Sequence, residues 1–215
     1  MQHLDQIAER IRQSFDARTA ARDRALAGTR TLTRHCANAI RAIHRDERQL
    51  AQQNLEEARA LVESLRANLT EYPDLYYTGY TQDALKEYAE ASIVCALLQD
   101  EPLPPPEELG LEPATYLQGL AEAAGELRRR CLDILRHGHS EEAERLLGHM
   151  DDIYAVLVTM DYPDAITGGL RRLTDIVRGV TERTRGDMTI SLRQEQLEKS
   201  LQHLESRLEG LKAEE

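Results

Sequence analysis

The chain has 215 residues, enough for one large domain or two small ones with a real core. Only 4% of residues are aromatic, with no Trp and a single Phe; with abundant Leu, Ala, Glu and Arg and no strand-like alternation, this is helix composition. The net charge of −11 argues against a uniformly basic nucleic-acid binder, and the longest apolar stretch, Ile93–Leu98, is too short to cross a bilayer. With no N-terminal apolar signal region, a cytoplasmic location without membrane contact is expected. Cys36, Cys95 and Cys131 form no C-x-x-C pair and are odd in number, which predicts buried thiols in a reducing compartment.

In chain order, residues 4–45 read as a helix bent near Gly28, and residues 47–71 as a second, closed by Pro73 and Gly79 in "EYPDLYYTGY". A third spans 81–99. The proline-rich "DEPLPPPEELGLEP" is a loop between helices and not a linker, because neither half would complete a core alone. Helices over 114–136, 140–160 and 164–185 follow, the second of these opened by Ser140 with Glu141 and Glu142. A last segment, about 188–212, places Leu197, Leu201, Leu204, Leu208 and Leu211 at spacings of four and three, a seam for another helix or subunit. The expectation is an all-α fold: one domain over residues 1–215, a single-domain bundle of about seven long helices.

Three acids interrupt the apolar helix "DALKEYAEASIVCALL". Asp83, Glu87 and Glu90 share a stripe with Val94 and Leu98, where an apolar face would pack. Carboxylates held off water call for a compensating cation, and Mg²⁺ favours carboxylate oxygens with waters and phosphates. Two other acids could complete such a site. Glu126 lies outside the apolar sector of its helix, near Gly119 and Gly125, which permit close approach; Asp152 is turned away from the stripe of Leu146, Met150, Ile153 and Leu157. Spacing leaves open the alternative that these acids are solvated on helix faces.

Other chemistries find no support. No histidine has Glu three residues before it, as a di-iron bundle requires, and H-E-x-x-H, Walker and dinucleotide fingerprints are absent. His137 and His139 read as a polar helix end. Positive charge is segregated: residues 1–48 carry ten Arg against six acids. Of the chain's 27 basic residues nearly all are Arg, suited to bidentate phosphate contacts. Tyr72, Tyr76, Tyr77, Tyr80 and Tyr88 cluster around the acidic helix, for base stacking or for packing between helices.

The blocks "TRHCANAIRAIHRDE", "GYTQDALKEYAEASIVCALL", "ATYLQGLAEAAGELRRRCLDIL", "ERLLGHMDDIYAVLVTMDYPDA" and "GLRRLTDIVRGVTERTRGD", in this order over residues 25–190, resemble the translin superfamily, in particular its archaeal-type branch and translin-associated factor X. The resemblance implies an all-helical, translin-like protein in a hollow homo-octamer that encloses single-stranded RNA or DNA. It also implies an endoribonuclease dependent on Mg²⁺, with Mn²⁺ as an alternative ion. The nuclease branch carries E-Y-x-E-A, matched by Glu87, Tyr88, Ala89, Glu90 and Ala91, whose glutamates serve the metal. Its third catalytic acid matches Asp152, with Asp151 one residue away, and its E-L-x-R element matches Glu126, Leu127 and Arg129. Glu87, Glu90 and Asp152 are thus the implied catalytic acids, with Glu126 as a further metal ligand. Arg34, Arg41, Arg45, Arg129 and Arg130 are the expected backbone contacts. The rival reading is a non-catalytic translin-like shell for single-stranded DNA or RNA.

Overall fold

The computed structural model describes the backbone of residues 2–138 and 141–213 and the side chains of 3–138 and 141–209. Among these residues there are nine helices and no strand, so the fold is all-α, as composition predicts. His139, the Ser140 cap and the Leu211 side chain of the seam lie outside the described residues. The chain divides into two compact units, Met1–Ala123 with Pro163–Leu170, and Ala124–Tyr162 with Arg171–Glu215.

The first unit is built on α1 (Gln2–His44), a single helix of 43 residues. Its buried side is a stripe of Ala21, Ala25, Leu32, Cys36, Ala39 and Ile43, spaced in threes, fours and sevens. The helix runs unbroken through Gly28, which serves a contact: a Cβ there would lie 3.2 Å from Leu65 Cδ2 of α2 (Arg48–Asn68). Between the two helices Asp46 takes a left-handed conformation, φ 59°, tolerated by its short polar side chain.

The one-turn α3 (Pro73–Tyr76) leads into α4 (Gly79–Gln99), and an Arg18–Asp74 ion pair ties that turn back to α1. The hydroxyls of Thr78 and Thr81 both donate to the Leu75 carbonyl, at 2.8 and 2.9 Å, which sets where α4 begins. α4 packs on α1, α2 and α3, and all its residues from Ala91 to Leu97 are buried; it is the centre of this unit. Asp100 ends it in a left-handed conformation. The proline segment contains the single turn α5 (Pro106–Leu109), pinned by buried Leu109 and Leu111. α6 (Pro113–Leu135) follows, and α8 (Asp164–Thr167) belongs to the same unit as the beginning of α6: Gln118 Nε2 donates to the carbonyls of Thr167 and Gly168, both at 3.0 Å.

The second unit buries Leu127 and Cys131 of α6, Leu146, Met150, Ile153 and Leu157 of α7 (Glu141–Val158), and Val177 and Met188 of α9 (Leu170–Ala213). Arg128 binds α6 to α9, donating to Thr184 Oγ1 at 3.1 Å and pairing with Asp187 at 2.8 Å. The helices expected over 164–185 and 188–212 are in fact α8 followed by one helix of 44 residues, because Gly186 does not break the hydrogen-bonded ladder. Ile190, Leu197, Leu201, Leu204 and Leu208 are exposed along it, as are Leu4, Ile11 and Phe15 at the start of α1. No helix among the described residues is long and apolar enough to cross a membrane.

Gly186 is exposed within α9, and a Cβ there meets nothing within 4 Å. Gly186→Ala therefore adds helix propensity without a clash and raises stability by about 1 kcal/mol, read as a higher denaturant midpoint at unchanged m-value.

Candidate metal centre

The site begins with a helix crossing. Gly119 of α6 lies so close to α4 that a Cβ would sit 2.5 Å from Ala89 Cβ, 2.9 Å from the Glu90 nitrogen and 2.9 Å from the Lys86 carbonyl. Only glycine permits this approach, since the opposing atoms are backbone and a methyl that cannot rotate away. Glu122 stands one turn beyond Gly119 on the same face of α6, and Glu87 and Glu90 are one turn apart on α4. The crossing therefore brings three half-buried carboxylates together, each offering an oxygen within 4.8 Å of the others.

Lys86 brings a cation to this point: its Nζ donates to Glu122 Oε1 at 2.7 Å and lies 3.9 Å from Glu87 Oε1. Burial pushes the Glu87 carboxyl above the usual range; Lys86 opposes that, while Glu122 and Asp83 add to it. Burial would lower Lys86, but the Glu122 hydrogen bond with the charges of Glu122, Glu87 and Asp83 outweighs it and holds the ammonium above its ordinary value. Beneath, on α1, buried Cys36 is pushed upward by burial first and then by Glu87. The three donors that meet at the crossing are all carboxylate oxygens, a hard set of the kind that suits Mg²⁺ or Mn²⁺.

Of the expected acids, Glu87 and Glu90 meet here, whereas Asp83 is exposed. The third member is Glu122, which sequence reasoning passed over in favour of Glu126. Its signal was present as the three-residue spacing from Gly119. Glu126, in the second unit, pairs with Arg129 at 3.3 Å. Asp152 is exposed on α7, and its neighbour Asp151 is gripped by Arg185 Nη2 at 2.6 and 2.7 Å. Gly125, unlike Gly119, approaches nothing.

Arg34, Arg41 and Arg45 are exposed at the C-terminal end of α1 and just past it, with Arg30 one turn before Arg34. Arg129 is exposed, but Arg130 is half-buried and pairs with Glu142 at 3.3 Å. Tyr88 points into the core, and Tyr76 and Tyr77 meet edge to face with centroids 5.2 Å apart. Packing accounts for Tyr88, whereas Tyr77 is exposed and donates its hydroxyl to Glu112 at 3.2 Å.

Fold and site together define an all-α protein of the translin type with an acidic cluster at its central helix. No family model matches the chain. An uncharacterized protein of Methanocaldococcus jannaschii is 31% identical over 188 residues, covering 86% of this chain and 83% of its own. The crystal structure of AfC3PO is 33% identical with a TM-score of 0.78, covering 86% of this chain and 96% of that one. AfC3PO in complex with duplex RNA aligns with a TM-score of 0.77 at 33% identity, covering 86% and 95%. Apo-NeC3PO shares the fold at a TM-score of 0.79 with 21% identity, over 86% and 96% of the two chains. The chain belongs to the translin superfamily.

Gly119→Ala forces α4 and α6 apart and lowers stability by about 1–3 kcal/mol despite the better helix propensity of alanine, again read from the denaturant midpoint. The raised Glu87 value has a sign of its own. Between the ordinary glutamate range and the folded value, the native protein holds more protons than the unfolded chain, so metal-free stability falls as pH rises through that window and then levels off. Glu87→Gln flattens this decline and melts higher than the parent at neutral pH in chelator, which thermal melts across pH will read.

Proposed function

We propose that this chain is a divalent-metal-dependent endoribonuclease that binds single-stranded nucleic acid within a hollow homo-oligomer, an octamer by its family resemblance. The observation that carries the reading is the carboxylate trio at the α4–α6 crossing. Three half-buried acids repel one another and lose hydration, so their convergence favours a cation-binding role over a structural one. A bound Mg²⁺ or Mn²⁺ supplies water activation and charge neutralisation at a scissile phosphate.

The residues' own parts follow from their positions. Glu87, Glu90 and Glu122 would hold the ion. Arg34, Arg41 and Arg45, exposed together at one end of α1, would bind successive phosphates, and Arg129 of the second unit, paired with Glu126, is a separate candidate for a phosphate contact. Arg130 is the weaker assignment, because Glu142 already engages it. The complex of AfC3PO with duplex RNA supports a nucleic-acid ligand, and the exposed leucine seam of α9 supports assembly.

Labelled single-stranded RNA, incubated with and without Mg²⁺, tests the reading. The parent protein cleaves only with the ion. Glu87→Gln/Glu90→Gln lowers cleavage by on the order of 100-fold or more, the scale of losing a preorganised electrostatic element, while single-strand affinity and the mass by light scattering stay near those of the parent. Asp152→Asn, in the same assay, tests the third acid that the family implies. Tight binding without products from the parent protein would leave the non-catalytic shell.

A further inference from the structure

We infer that Lys86 is a built-in counter-ion of the carboxylate cluster, which offsets the charges of Glu122 and Glu87 in the absence of a divalent ion and must let go of Glu122 when one binds. This rests on the metal-site reading above. The side chain of Lys86 is only 17% exposed, and its ammonium reaches from α4 across the Gly119 crossing to Glu122 on α6. It stands 2.7 Å from Glu122 Oε1 and 3.9 Å from Glu87 Oε1, so it serves two of the three acids with a single charge.

A divalent ion drawn to the same acids claims the same Glu122 carboxylate and repels an ammonium beside it. The two cations therefore compete. Residue type matters here. A lysine offers a compact point charge on a flexible four-carbon stem and can withdraw without moving the backbone, whereas a planar guanidinium would hold the carboxylate in two bonds. Lys86 thus keeps the crossing closed before metal arrives and sets how tightly metal binds, since whatever the lysine contributes to the metal-free state is subtracted from the metal affinity.

Mn²⁺ alone, titrated calorimetrically into the full-length protein, tests this against Lys86→Met, which keeps the stem and removes the charge. The variant is expected to melt lower than the parent in chelator, to bind Mn²⁺ roughly tenfold more tightly, within the usual range of coupling between two sites, and to recover the parent melting temperature at saturating ion. Lys86→Arg, which retains a charge, is expected to bind no more tightly than the parent. Unchanged or weaker Mn²⁺ binding by Lys86→Met overturns the inference.

A measurement on the unmodified protein stands beside it in case the variant does not fold. The chain has three lysines, and Lys199 is an exposed reference on α9. Acylation followed by mass spectrometry should show Lys86 shielded in chelator and more reactive relative to Lys199 at saturating Mg²⁺; an unchanged or lower ratio sinks the idea. Absence of any Mn²⁺ binding by the parent would instead defeat the metal-site reading itself, a result distinct from binding that is indifferent to Lys86.

Discussion

The contact on which the site depends is between backbones. Where α6 passes α4 at Gly119, the missing side chain lets two helices approach until a methyl would collide with the Lys86 carbonyl and the Glu90 nitrogen. Everything with chemical character follows within one turn of that point: Lys86, Glu87 and Glu90 on one helix and Glu122 on the other. A larger residue at Gly119 would part the acids by displacing a whole helix, which no side-chain rotation can undo.

Placing charge at such a crossing opposes the tendencies that build the rest of the unit. α4 is an enclosed helix, with its own Ala89 and Ile93 fully buried, as is Cys36 of α1. The acids avoid the full desolvation penalty because they stay half-exposed and because Lys86 neutralises part of their charge. The raised Glu87 carboxyl and the strengthened ammonium of Lys86 are two consequences of that compromise. It leaves less negative charge at the site than a count of its acids suggests.

Periodicity was a reliable guide to what depends on one helix at a time. The long helices and the pairing of Glu87 with Glu90 both follow from spacing along a single segment, and the buried cysteines from their odd number and lack of C-x-x-C pairing. What it could not supply was anything decided by two helices at once. Glu122 and Glu126 are equivalent on the wheel of α6, being one turn apart; only the crossing point selects Glu122. Gly28 and Gly186 show the same limit. Glycine in a helical stretch reads as a bend or a break, yet one receives Leu65 of a neighbour and the other stands open in a continuous helix. Lys86 gave no signal at all, since its meaning lies in a partner 36 residues away.

The three cysteines give each unit an internal clock. Cys36 and Cys95 are sealed in the first unit and Cys131 in the second, with burial raising the thiols of Cys95 and Cys131 to about 12 and about 11. Such thiols react with alkylating agents only when their surroundings open, and then from an ordinary ionisation state. The rate at which each sulfur is alkylated under native conditions therefore measures how often its own surroundings breathe, and it resolves the two units without any label or substitution. Cys36, buried on α1, which packs on α4, reports the opening of its own surroundings in the first unit.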